Sequence, residues 1–331
     1  MARITAGQRG GGVLSGTAHA AILARMSLAW ITRAGDSGAS AGQGAGRAGA
    51  CVLVAMLLAC VLTLPWSLQR YRGEAGDEVR SREAPTWREP MGTDTLGRSV
   101  MWRSLLGGAV SLGIGASAAM LAVVIGVTWG AVAGYAGGRV DAVMMRIVDV
   151  MYGLPYVLLV VLVNLALQPA MERVLPTGLA NVITLLVAIG GVSWLTMSRV
   201  IRGQVLSLRG QPFVEAARAC GVGPWRMLRV HLLPNLVGPI VVYATLTVPQ
   251  AILQESFLSF LGIGVRDPLP SWGNLAAAGV AQFPSVTLGT GVFAWWLLLW
   301  PCVLLAATLL SLNFVGDALR ARFDPKSAAR R

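Results

Sequence analysis

Residues 213–235 read FVEAARACGVGPWRMLRVHLLPN, a polar, arginine-bearing stretch between two long apolar runs. Pro212, just ahead of it, has no N–H to lose and so suits the first turn of a helix. Phe213, Ala216, Ala217 and Cys220 recur at i, i+3, i+4 and i+7, which predicts one stripe on a short helix. Gly221 follows where a left-handed residue ends a helix. Pro224 opens a second short helix with Trp225, Leu228 and Leu232 on one face, and Pro234 and Asn235 are expected to close it. The stretch reads as helix, sharp turn, helix, lying along a membrane surface.

The flanking runs make that surface a bilayer. Of 331 residues, 55% are hydrophobic and 13% charged, too apolar for an ordinary soluble domain. A net charge of +12 would suit nucleic acid, but the arginines flank apolar runs and form no basic stripe, so membrane lipid is the expected partner and nucleic acid is not. Six apolar regions are expected to span: Ala48–Leu68, Ser111–Tyr135, Met145–Gln168, Val182–Ser198, Leu236–Val265 and Val286–Leu312. The fold class is therefore all-α, a membrane protein of six transmembrane helices. The second region is rich in Gly and Ala, which suits close helix packing. Gly153 and Pro155 predict a kink in the third.

Residues 1–47 form a basic, Gly/Ala-rich tail expected to be disordered, 48–316 the six-span domain, and 317–331 a second basic tail. Within the domain lie an outer loop over 69–104 and the polar loop over 199–235. Under six spans the segments on the side of both termini hold 18 of the 27 basic residues and the opposite side 9. The positive-inside rule then puts the 213–235 stretch and both termini in the cytoplasm.

Scarcities exclude several functions. Lys326 is the sole lysine and follows Pro325, so no phosphate-cradling G-x-x-x-x-G-K-[ST] loop exists. His19 and His231 are the sole histidines and neither lies in an expected span, which removes H-E-x-x-H metal sites and an intramembrane Ser–His pair. The four cysteines read as small buried hydrophobes, without disulfide or metal spacing. Glu255 is the one acid inside an otherwise uncharged span. Burying a charge at mid-membrane costs about 2.5–3.5 kcal/mol, so it must face the bundle or water, as a pore or gate group or as a clamp between helices. A self-sufficient secondary transporter wants a relay of such groups, and Glu255 stands alone. An intramembrane protease would need a histidine or a second acid.

Glu215-Ala216-Ala217, then Gly221, His231, Leu233-Pro234 and Asn235 resemble the "EAA" cytoplasmic loop of importer-type ABC transporter permeases. His231 and Asn235 are similar to the peptide/nickel branch. Gly92-Thr93-Asp94 with Gly97-Arg98 resembles the G-T-D-x-x-G-R-D segment before the second span of C-type subunits in dipeptide and oligopeptide permeases, with Ser99 in place of the usual acid. On physical grounds Thr93 or Asp94 can N-cap a helix carrying Leu96, Val100, Trp102 and Leu106. The run Gln254–Gly264 and the segment Pro270-Ser271-Trp272-Gly273 are similar to the same family's fifth span and P-S-W-G outer loop. Trp272 is either part of that loop's binding-protein side or an anchor at the headgroups. Asn313–Asp317 resembles the family's carboxyl end, so the likeness covers roughly residues 48–326.

The resemblance implies a multi-pass permease of the bacterial inner membrane, and no enzyme. It implies as partners a second homologous permease subunit, two ATPase subunits that hold ATP and Mg, and an extracytoplasmic solute-binding protein. The polar loop docks on an ATPase subunit, and this chain binds no cofactor or metal. The implied solutes are di- or oligopeptides, with nickel or another small solute as the alternative.

Overall fold

The computed structural model describes residues 44, 46–69, 81–266, 268–282 and 294–323. Most of the expected amino tail, the middle of the first outer loop, the start of the sixth apolar region and the end of the carboxyl tail lie outside the described residues.

Nine helices are formed among the described residues: α1 (Gly46–Gln69), α2 (Val100–Ala136), α3 (Gly138–Tyr152), α4 (Tyr156–Glu172), α5 (Thr177–Arg209), α6 (Pro212–Ala219), α7 (Pro224–Phe260), α8 (Trp272–Val280) and α9 (Trp296–Phe323). Five of them, α1, α2, α5, α7 and α9, are long and apolar enough to cross a membrane. The third expected span is broken, since α3 and α4 meet at 94°. The expected kink is thus a full corner. Pro155 removes a backbone donor, and the residue before a proline, Leu154, is pushed out of the helical region.

α2 and α5 are the central pair. Gly126, Gly130 and Gly134 recur every four residues and let the two backbones meet, as small residues do between helices in lipid. A Cβ on Gly126 would sit 2.5 Å from Met197 Cβ, and one on Gly134 2.9 Å from Val205 Cβ. Above this seam Ile114, Ala118 and Ala122 of α2 pack with Leu185, Ala188 and Ile189 of α5 in the main core. α7 closes the third side, with Ile252 seated against Leu112 and Trp272. Met56 and Cys60 of α1 join Leu304 and Leu305 of α9 in that same cluster.

Four boundaries differ from expectation. α2 begins at Val100 with Ser99 as its N-cap, so Thr93, Asp94 and Leu96 precede the helix. α7 carries Pro239 and Pro249 without ending, but stops at Phe260, short of Val265. α9 runs through Gly316 and Asp317 to Phe323, with Gly316 packed beside Leu246 and Thr245 of α7. The second cytoplasmic helix and α7 are one element, as described next.

Candidate functional site

The loop over 211–235 is built as the chain dictates at each turn. Gln211 is extended and N-caps α6, Pro212 fills its first position, and Glu215 lies in its first turn. Past Cys220 the chain takes the left-handed conformation at Gly221, with φ +76°. Val222 N–H then donates to the Ala217 carbonyl at 3.1 Å, and Gly221 N–H to the Arg218 carbonyl at 2.9 Å. These two bonds are the paired closure of a Schellman motif.

The buried stripe of α6 differs from the expected one. Val214 is fully buried and Ala217 partly so, while Phe213, Ala216 and Cys220 are exposed. Val214 packs with Met227, Leu228, Leu232 and Leu236 onto Ile201 and Val205 of α5 and Val127 and Ala131 of α2. The loop is therefore pinned to the inner end of the α2–α5 pair. Its outward face presents Phe213, Glu215, Ala216 and Trp225, the last 71% exposed. Arg218 stacks over the Tyr135 ring at 5.6 Å, and the Glu215 carboxylate has no ion-pair partner among the described residues.

Pro234 and Asn235 do not close a helix. α7 continues unbroken because residues Met227–Leu232 widen to a π turn. Proline at 234 withdraws one backbone donor. The i→i+5 register carries Leu233 N–H to the Leu228 carbonyl, and Asn235 Nδ2 donates to the His231 carbonyl at 2.7 Å. His231 and Leu233 are half-buried at this wide turn, while Pro234 and Asn235 face outward.

At the opposite end of the bundle the segments 81–103 and 268–282 form a collar. Asp94 is its centre. Its Oδ1 accepts from Leu96 N–H at 2.9 Å and Arg98 N–H at 2.8 Å, and its Oδ2 from Arg98 Nε at 2.8 Å and Arg103 Nη1 at 2.5 Å. Asp94 thus holds a turn, with Gly97 at φ +73°, against the first turns of α2. Thr93 accepts from Glu83 N–H through its hydroxyl, and its carbonyl accepts from Trp296 Nε1 at 3.1 Å. Gly92 lies under that indole, with room for no Cβ. Ser99, standing where the related segment has an acid, donates to Glu89 Oε2 at 2.5 Å, so the acid is supplied from another part of the loop. A cavity of ≈ 270 Å³ lies between this turn and α8, bounded by Asp94, Arg98, Arg103, Asn274 and Leu297.

The segment 270–273 is structural. Ser271 N-caps α8 in a capping box with Asn274. Trp272 is 1% exposed, so the reading as a headgroup anchor is overturned; its Nε1 donates to the Ser104 carbonyl at 3.0 Å and its N–H to Ser111 Oγ at 3.3 Å. Gly273 lies directly on the Ser256 backbone, where a Cβ would collide. Pro270 is buried beside them.

Glu255 joins this packing. It is fully buried, with Ser259 Oγ donating to Oε1 at 2.7 Å and Ser256 Oγ 3.3 Å from Oε2. Ser111 of α2 and Ser271 at the head of α8 lie beside its carboxyl group. Glu255 thus sits, fully buried, where α2, α7 and the head of α8 meet. Sequence reasoning missed two further groups, the α3–α5 ion pairs Asp141–Arg202 and Asp149–Arg199, and the hydroxyl and amide cluster of Tyr156, Ser193 and Gln254. The signal for the first was two acids eight residues apart on an amphipathic segment; each partner lies 50 or more residues away.

The family profile described as "Binding-protein-dependent transport system inner membrane component" matches residues 126–328. The dipeptide transport system permease protein DppC of Bacillus subtilis is 43% identical over 71% of this chain and 68% of its own length. The oligopeptide transport system permease protein OppC of Haemophilus influenzae is 38% identical over 83% of both chains. The OppC protein of Escherichia coli strain K12 is 39% identical over 84% of this chain and 86% of its own. Among solved structures, an inward-facing MetNI methionine ABC transporter superposes with a TM-score of 0.50 at 19% identity, over 68% of this chain and 97% of that one, a likeness of fold.

Proposed function

The chain belongs to the family of binding-protein-dependent transport system inner membrane components, and on that premise we propose that it is the C-type permease subunit of an ATP-driven importer of di- or oligopeptides. It is a membrane transport subunit and no enzyme: in such importers the ATPase is a separate subunit. The observation that carries the reading is the loop Pro212–Leu232. It is anchored by buried Val214 and Met227 to the inner end of the central helix pair and turns Phe213, Glu215 and Trp225 outward. That face suits a cleft on an ATPase subunit. ATP and Mg sit on two such subunits, and a second related permease completes the pathway. An extracytoplasmic binding protein delivers solute at the collar, and both termini are cytoplasmic.

Mechanically, closure of the ATPase pair draws the docked loop, and the loop moves α5 and α7, to which it is packed. The test is genetic. Deleting the gene from a strain without parallel peptide importers should abolish growth on di- or oligopeptides as sole source of a required amino acid, with free amino acid uptake unchanged. Intact peptide growth with lost nickel uptake would reassign the solute.

A further inference from the structure

One face of the bundle does not suit lipid. The corner between α3 and α4, residues 152–155, is exposed along its whole length. It lies beside Ser193, because Tyr156 immediately after the corner has its hydroxyl 3.2 Å from Ser193 Oγ. Ser193 is three residues past the middle of the apolar run Val182–Ser198, or about 4.5 Å along the helix at 1.5 Å per residue, so the corner sits at mid-membrane. Irregular backbone at that depth is stable only where it is covered by protein or lines water.

The side chains around the corner carry the same message. The Tyr156 hydroxyl also donates to Gln254 Oε1 of α7. One turn inward, Tyr152 and Thr196 pair through their hydroxyls at 2.6 Å, both exposed. Gln250, one turn from Gln254 on the same face of α7, is exposed as well. Polar groups within spans face a bundle interior or a water-filled path. Leu154 and Leu253 are exposed beside these polar groups, 45% and 53%, whereas Met120 and Val124 of α2, 65% and 54% exposed, are aliphatic groups on another part of the bundle. Where two helices of this chain do pack tightly, α2 on α5, the seam is glycine, and this face has tyrosines, glutamines and threonine instead.

We propose that Tyr152, Tyr156, Ser193, Thr196, Gln250 and Gln254 line the solute path through the membrane, with the α3–α4 corner as its mid-membrane wall. This rests on the importer reading above and names the part of the chain that the solute touches. The six groups are themselves uncharged and rich in donors and acceptors, and the nearest charges, Arg199 against the Tyr152 ring and its partner Asp149, are held in an ion pair. The lining offers hydrogen bonds to the amide groups of a passing peptide, and no unpaired charge among these six groups to trap it. Binding in a conduit must be firm enough to admit and weak enough to release, which neutral hydrogen bonds satisfy.

The test uses the assembled transporter, with partner permease and ATPases, in a background without the four native cysteines. Thr196→Cys, Gln250→Cys and Gln254→Cys are treated with a small hydrophilic methanethiosulfonate, alongside Met120→Cys and Val124→Cys as lipid-facing controls. Only variants of normal membrane abundance are scored. The three lining positions should react at least tenfold faster than the controls, their modification should stop peptide uptake, and Gln254→Leu should raise the KM for uptake several-fold. Rates equal to the controls, or lining cysteines that are inert yet cross-link to the partner permease, overturn the proposal. Wild-type uptake is measured in parallel: failure to move peptides refutes the solute reading, while the labelling pattern still decides the lining.

Discussion

Asp141 on α3 grips Arg202 on α5 with both carboxylate oxygens, Oδ1 at 2.5 Å from Nε and Oδ2 at 2.6 Å from Nη2. Asp149 meets Arg199 at 2.8 Å one turn further out, and the Arg199 guanidinium lies 4.0 Å from the Tyr152 ring centre. Helix α3 is thus stapled to α5 just before that helix reaches the loop over 211–235. Asp141→Asn or Arg202→Gln should lower the melting temperature of the assembled transporter. Arg202 is about one-third exposed, so the cost should be near 1 kcal/mol. The exchange Asp141→Arg with Arg202→Asp should recover most of it. Single variants that melt with the wild type would remove the staple from the account.

Gly221 offers a cleaner separation of backbone from packing. Nothing lies within 4 Å of where its Cβ would be, so a substitution is opposed only by the positive φ. Left-handed geometry costs an ordinary residue roughly 1–2 kcal/mol, and a β-branched one more. Gly221→Val should insert normally, co-purify poorly with the ATPases and lose uptake. Gly221→Asn, which tolerates that conformation, should keep most of both. Full association and uptake in Gly221→Val would withdraw the docking role of the loop.

Glu255 should behave as a clamp. Glu255→Ala leaves the Ser259 and Ser256 hydroxyls without their carboxylate acceptor, at about 1–3 kcal/mol for each group left unpaired. It should reduce membrane abundance and heat resistance of the complex. Glu255→Gln keeps an acceptor and adds a donor, and should retain uptake. Normal abundance with lost uptake in Glu255→Gln would mean that the acid itself takes part in transport.

Orientation is checked with single cysteines and an impermeant thiol reagent on intact cells. Gln211→Cys, next to α6, should be shielded, and Arg266→Cys, at the exposed end of the turn after α7, should be labelled. Labelling of Gln211→Cys from outside would reverse the side assigned to the loop.

What could be read in the chain was local. Pro212, Gly221 and Pro224 act through their own backbones, so helix, turn and helix start were legible without a structure. The apolar runs, the glycine-rich second span and the break at Gly153–Pro155 were legible for the same reason. Distant partners were not. Asp94 reads as a helix cap until Arg103 and the turn at Gly97 claim it. Trp272 in an outer loop reads as an anchor until Ser104 and Ser111, more than 160 residues away, enclose it. Pro234 reads as a stop because nothing in its neighbours announces that the preceding turn will widen.

That widened turn makes α7 a lever. The helix runs 37 residues, about 55 Å at 1.5 Å per residue, from the docking surface at Pro224 to the rim at Phe260. One end is held by whatever grasps Trp225, and Glu255 lies five residues from the other. A tilt of only ~5° about the loop end would sweep the rim end sideways by ~5 Å, given that length. The buried carboxylate of Glu255 then sits where the stroke is longest, and its serine contacts are where that movement would pass to the neighbouring collar.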